Sequence, residues 1–270
     1  MRLGISSFAL SWAVGIPGYP PERPLAAAEI LDRAAQLEVG VVQFGDNLPL
    51  HELPEDELHD LDTHARDLGI ELELGVSGHG PDLLRAYLRL CRVFDARVLR
   101  VMPGWPELFP DRGDAVESVR EVADEFAEAG VAIGLENFEA YGVADLARAV
   151  RTVDHPAAGA CLDTINSIGA VESPEYVIET LAPLAVNVHL KDYAIRRFDH
   201  RLGLVVEGRP CGQGRLDIGG LLRALEATDR DPNVILELWT PPEQDIEDTV
   251  AKESEWLEES VAHMHPLLPE

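Results

Sequence analysis

AIGLENFEAYGVADLARAVRTVDHPAAGACLDT, residues 132–164, changes its hydrophobic period twice. Ala132 to Glu136 is a short apolar run. From Val143 the apolar residues fall at Val143, Leu146, Ala147 and Val150, the spacing of one helix face. At Gly159 a second unbroken apolar run begins and ends in Leu-Asp-Thr. Runs without polar alternation are strands buried on both faces, as in a parallel sheet covered by helices. Strand, helix and strand within this length make one β/α unit.

The same unit recurs on both sides of this stretch. Strand-like runs start at Leu3, Gly40, Glu71, Val98, Ala132, Gly159, Ala185 and Val234. Helical periodicity fills the gaps between them, and the last helix is expected from Glu243 to about Met264. Pro54 with its acidic neighbours, Ser173 before Pro174, and Asp217 read as helix starts; Gly69 and Gly130 read as stops. Eight such units predict a closed (β/α)8 TIM barrel, an α/β fold with residues 1–270 as a single domain. The rival open sheet would carry a Gly-rich phosphate loop after its first strand, where this chain has Ser-Ser-Phe-Ala-Leu-Ser-Trp. Residues 193–214 are expected to form a long strand-to-helix loop on the catalytic face.

Composition excludes several functions. Lys and Arg total 22 against 49 Asp and Glu, a net charge of −27, so nucleic acid would be repelled. Only Lys191 and Lys252 are lysines. Adaptation to high salt produces that balance, and so does a genome that codes Arg for Lys. No apolar run approaches the length of a membrane span, and the N-terminus does not read as a signal peptide. Cys91, Cys161 and Cys211 have no metal or redox spacing. A cytoplasmic protein is expected.

Four of the late strands break their own apolar rule near the C-terminal end, at Glu136, Asp163, His189 and Glu237. Each has an ordinary reading alone: an ion-pair partner, a turn cap, a satisfied core histidine, a structural carboxylate. In a barrel, however, all four ends open at one mouth. Buried carboxylates are costly unless paired or bound to a metal. Three carboxylates and an imidazole at one point make a site for one divalent ion. Mn²⁺ or Mg²⁺ is favoured by the oxygen majority, with Co²⁺ or Zn²⁺ also compatible.

These residues carry a resemblance. Glu-Asn-Phe, Leu-Asp-Thr, His-Leu-Lys-Asp-Tyr and Ile-Leu-Glu-Leu-Trp after successive strands resemble the xylose isomerase-like TIM-barrel superfamily of sugar phosphate isomerases and epimerases. Pro210–Ile218, PCGQGRLDI, is similar to that family's Gly-x-Gly segment before the seventh helix. The resemblance implies one divalent metal on Glu136, Asp163, His189 and Glu237. It also implies that Glu136 and Glu237 act as acid and base on opposite faces of an enediolate. One departure stands out: Asn166 occupies the place of a substrate-contacting histidine of the epimerases, and it cannot titrate. The endonuclease branch of the superfamily is excluded by charge.

Other residues are candidates for substrate contact. Lys191 shares the inward face of its strand with His189, whereas Asp192 points away. It is a candidate for substrate binding or proton transfer. The densest basic cluster of the chain follows it, and there Arg197, Arg201 and Arg215 are candidates for an anionic substrate group. His79 lies just after the third strand, and Gln43 and Asp46 near the second could line the mouth. Trp12, Trp105 and Trp239, beyond the first, fourth and eighth strands, offer aromatic faces for a sugar.

The expected activity is therefore a metal-dependent sugar isomerase or epimerase acting on a small keto-sugar or oxidised sugar. The alternative is a lyase. The Arg-rich loop with HLKD, VVEGRPCGQGRLDI and ELW is similar to a subgroup containing decarboxylases of 3-oxo sugar acids, of the 3-oxo-isoapionate type. A second alternative is a catalytically silent sugar-binding or accessory barrel. The implied partner is a small carbohydrate. The resemblance also suggests a homo-oligomer, with no interface that one sequence can locate.

Overall fold

A computed structural model of the chain describes residues 1–103 and 115–268. Eight parallel strands close into a barrel: β1 Leu3–Ser6, β2 Val41–Phe44, β3 Glu71–Ser77, β4 Val98–Met102, β5 Ala132–Glu136, β6 Ala158–Asp163, β7 Ala185–Leu190 and, after two further strands, β10 Asn233–Leu236. β1 pairs with both β2 and β10, so the sheet has no edge. The eight expected strands are the eight staves.

The helices are α1 Ser11–Val14, α2 Ala27–Gln36, α3 Glu55–Leu68, α4 Pro81–Phe94, α5 Ala115–Glu128, α6 Val143–Val153, α7 Pro174–Leu181, α8 Ile218–Glu226 and α9 Ile246–Met264. Their apolar stripes lie on the barrel. In α6 the buried set is Val143, Leu146, Ala147, Val150 and Val153, the periodicity read from the sequence. Ser173 Oγ caps α7 by accepting from Tyr176 N, and Asp217 Oδ1 caps α8 by accepting from Gly220 N at 2.8 Å. Gly69 closes α3 in the left-handed conformation, φ +71°. Among the described residues no helix is long and apolar enough to cross a membrane.

One irregularity positions the late strands. The β6–β7 register pairs Ala160 with Ala185 and then Cys161 with Asn187, so Val186 is the extra residue of a bulge. Beyond it Asp163 lies beside His189. The bulge sets the inward phase of β7, which places Asn187 and His189 in the barrel interior.

The segment expected as a loop is a hairpin. β8 Asp192–Arg197 and β9 Leu204–Arg209 pair antiparallel as a separate two-stranded sheet. Asp192 secures its base. Its carboxylate accepts backbone N–H groups from Tyr193, Gly212, Gly214 and Leu216 at 2.8–3.0 Å. A side chain at Gly214 would strike that carboxylate, which accounts for the second glycine of the Gly-x-Gly segment. The three cysteines are buried and free.

Candidate metal centre

Glu136 and Asp163 end β5 and β6, His189 lies near the end of β7, and Glu237 follows β10 directly. All four are buried, and each brings a donor atom within 4.8 Å of the others. His189 Nδ1 is 3.0 Å from Glu136 Oε1, 3.3 Å from Glu237 Oε1 and 3.9 Å from Asp163 Oδ2. The four strand-end residues singled out in the sequence therefore converge.

Their neighbours fix their orientation. Asp163 Oδ1 accepts from the N–H groups of Ile165 and Asn166 at 2.9 and 2.7 Å. The turn-capping role and the site role thus belong to different oxygens of one carboxylate. Asn137 clamps the ends of β5 and β6: its amide accepts from Asp163 N and donates to Asp163 O. Thr164 Oγ1 likewise exchanges hydrogen bonds with the backbone of Lys191, both at 2.9 Å. Asn166 Nδ2 donates to Glu136 Oε1 at 3.1 Å, so this residue reaches the cluster as a hydrogen-bond donor.

Two buried cations balance the carboxylates. Lys191 Nζ meets Asp163 Oδ2, and Glu237 Oε2 at 2.6 Å. The Arg100 guanidinium pairs with Glu136 Oε2, and with Asp46 Oδ1 at 3.0 Å. Burial works against every one of these charges, and the pairing outweighs it at five of them, Arg100 included, whose guanidinium Glu136 and Asp46 raise against burial. Burial would raise Glu136, yet Arg100 and His189 hold it far below the ordinary carboxylate range. Glu237 is likewise lowered, against burial, by His189 and Lys191. Burial would lower His189 and Lys191, and the surrounding carboxylates raise both. Asp163 goes the other way: its burial outweighs Lys191 and its carboxyl is raised.

Arg100 is a residue of this cluster that the sequence reading missed. Its signal was present: one Arg inside Val-Leu-Arg-Val-Met is the same break in an apolar strand that marked Glu136. Glu73 in β3 was missed too. It is buried, and it accepts from the amides of Gln43, Asn187 and Asn233 at 2.8–3.0 Å. Burial pushes its carboxyl up.

A cavity of 220 Å³ opens above the cluster, lined in part by Arg100, Glu136, Asn166, Lys191, Glu237 and Trp239. Lys191 Nζ lies 6.0 Å from the Trp239 ring centre. The other sequence candidates lie elsewhere. Trp12 donates Nε1–H to Thr240 O at 2.9 Å beside this cavity, while its neighbours Phe8 and Ser11 line it. His79 is buried with Nδ1 3.4 Å from Ser118 Oγ and does not line the cavity. Arg197 and Arg201 are exposed on the hairpin, and Arg215 is exposed after it. The structure does not bring these three arginines to the cluster. Trp105 lies outside the described residues.

The profile of the xylose isomerase-like TIM barrel matches residues 31–260. The chain belongs to this family. This xylose isomerase-like barrel is 34% identical over 271 residues to 3-oxo-isoapionate decarboxylase of Pectobacterium atrosepticum, covering 100% of this chain and 97% of that protein. Its fold is similar to D-psicose 3-epimerase crystallised with D-fructose, with TM-score 0.74, 17% identity and 100% of both chains covered. It is also similar in fold to a xylose isomerase-like barrel protein from Mycobacterium smegmatis in complex with magnesium, with TM-score 0.68, 16% identity and 97% of each chain covered.

The donor set fits a divalent ion. Three carboxylate oxygens and one imidazole nitrogen lie close together, and in the structure their mutual repulsion is relieved by two side-chain cations.

Proposed function

We propose that this barrel is a metal-dependent decarboxylase of a 3-oxo sugar acid. The observation that carries this reading is the pairing of Arg100 with Glu136 at a cavity also lined by Lys191. Proton shuttling between two glutamates needs one as base and the other as acid, so each must be able to take up and release a proton. Here Arg100 holds one of them ionised and weakly basic, and Asn166 beside it cannot titrate. Loss of CO₂ asks less of Glu136 and more of a cation that can orient a carboxylate. The 34% identity along the whole chain to a 3-oxo acid decarboxylase supports the same reading.

Glu136, Asp163, His189 and Glu237 would hold the ion, with Mn²⁺ or Mg²⁺ matching the donor set. When bound, it would supply Lewis-acid stabilisation to negative charge developing on the 3-oxo oxygen. Asp163 and Glu237, if they held an ion, would share their oxygens less with Lys191. Lys191 would then meet the substrate carboxylate, with Trp239 forming one wall. The bond from the carboxyl carbon to C2 breaks, CO₂ leaves, and its electron pair passes into the enolate. A proton from solvent closes the reaction at C2. The substrate is a small carbohydrate acid, and the free buried cysteines fit a cytoplasmic site of action.

The second reading, isomerisation or epimerisation, rests on Glu136 and Glu237 lining the same cavity. One experiment separates the two. The Mn²⁺-loaded protein is offered 3-oxo sugar acids and keto-sugars in D₂O, and CO₂ and deuterium are followed together. Decarboxylation yields CO₂ and one deuterium at C2 of the product. Deuterium uptake without CO₂ overturns it in favour of the second reading. Neither signal from the loaded protein, across both substrate classes, would bring the accessory-barrel reading forward.

A further inference from the structure

The β8–β9 hairpin presents an apolar face to solvent. The register Ile195↔Val206 and Arg197↔Leu204 puts these four side chains on one side of the ribbon. Ile195 and Leu204 are exposed, and Leu202 at the turn is 83% exposed. A two-stranded ribbon gains little from its own pairing and is stabilised by a surface to lie on. Its base is tied down through Gly208 N–H to Trp239 O at 3.2 Å. Its arginines are uneven in their partners. Arg196 reaches Glu207 at 3.4 Å, whereas among the described residues neither Arg197 nor Arg201 meets a carboxylate. An unpaired, partly apolar basic tip is unusual on a chain of net charge −27.

A groove of 720 Å³ on the same molecule has the complementary character. It runs between α2 and α3 over Leu48, Leu50, Leu53 and Leu61, and its rim carries Asp32, Glu52, Glu57 and Asp60. Residues 48–53 follow β2 and the hairpin follows β7, so both features lie at the end of the barrel where the strands finish. Two copies facing each other across a two-fold axis can therefore exchange hairpins, each meeting the other's groove. General repulsion between two such acidic chains is opposed where arginines meet this acidic rim.

We infer that the β8–β9 hairpin seats its Ile195–Leu204 face and Arg197 in the acid-rimmed α2–α3 groove of a second copy of this chain. The test is sedimentation equilibrium of the full chain, with melting curves to confirm that each variant is folded. Wild type is expected to be dimeric at micromolar concentration. Leu204→Glu, Arg197→Glu and Glu57→Arg should each weaken the dimer at least tenfold. Combining Arg197→Glu with Glu57→Arg should recover part of the loss. A monomeric wild type overturns the inference, as does a dimer indifferent to the hairpin variants. A dimer weakened by the hairpin variants but not by Glu57→Arg overturns the groove as the seat.

Discussion

His189 Nε2 lies 2.7 Å from Gln43 Oε1, and this contact decides which imidazole nitrogen faces the carboxylates. An amide oxygen only accepts, so Nε2 carries the proton and Nδ1 is turned to Glu136. Gln43 is itself held, because its Nε2 donates to Glu73 and to Asn187, both at 3.0 Å. The buried carboxylate in β3 thus orients an amide in β2, and the amide orients His189 in β7. Partners of this kind tune a metal site from outside its ligand set.

Gln43→Leu removes the acceptor without touching a ligand. Mn²⁺ affinity, measured by calorimetric titration, is expected to fall by roughly ten- to a hundredfold. Unchanged affinity in a folded variant would show that the orientation of His189 is set elsewhere.

Lys191→Met tests the competition between ammonium and ion. Without metal, Asp163 and Glu237 lose a buried partner, and a loss of about 3–5 kcal/mol in stability is expected. Saturating Mn²⁺ should return much of it through binding to the folded state. Ion affinity should rise while turnover falls. Urea unfolding with and without Mn²⁺ reads the first effect, and an equal loss in both conditions would argue against the competition.

The barrel was legible because unbroken apolar runs alternate eight times with helical periodicity, and the four strand-end residues because they break those runs. A charged residue in a doubly buried strand is expensive, so its presence is a signal. Arg100 carries the same signal, but as a cation that balances Glu136 it does not belong to the donor pattern that makes the four strand ends recognisable. The arginine cluster was misplaced for the opposite reason. Charge density along the chain showed that Arg197 and Arg201 were near one another, but whether the ribbon turns inward or projects depends on anchors such as Asp192 and Trp239. Glu73 could not be read because the donors that satisfy it come from β2, β7 and β10, far apart in the chain.

Gly208→Ala probes the anchoring of the hairpin. A methyl group there would lie within 3.0 Å of the Trp239 backbone, which cannot retreat without moving the segment that follows β10 and carries Glu237. The barrel should remain folded by circular dichroism. Turnover should drop by at least tenfold, because Trp239 lines the cavity and Glu237 lies two residues before it. Full activity would show that the hairpin and the cavity wall move independently.

Glu253 in α9 gives the fold a pH dependence away from the metal centre. Its buried carboxylate accepts from Trp12 N and Ala13 N, both at 3.0 Å, and so holds the turn whose Ser11 lines the cavity. Burial pushes this carboxyl up to about 7, and the backbone N–H groups offset only part of that rise. The folded state therefore binds the proton more tightly than the unfolded chain, where the group has its ordinary value of 4.5. The stability this supplies is fully present below about pH 4.5 and is lost as pH rises through about 7. It is of the order of 3 kcal/mol across that window. Glu253→Gln cannot titrate, and its –NH₂ would face a backbone N–H, so it should be less stable than wild type at pH 5. The difference between the two proteins should narrow from pH 5 to about pH 7 and level off above it in urea unfolding. A gap that stays constant, or widens with pH, would mean that Glu253 is ionised throughout and that its backbone hydrogen bonds outweigh burial.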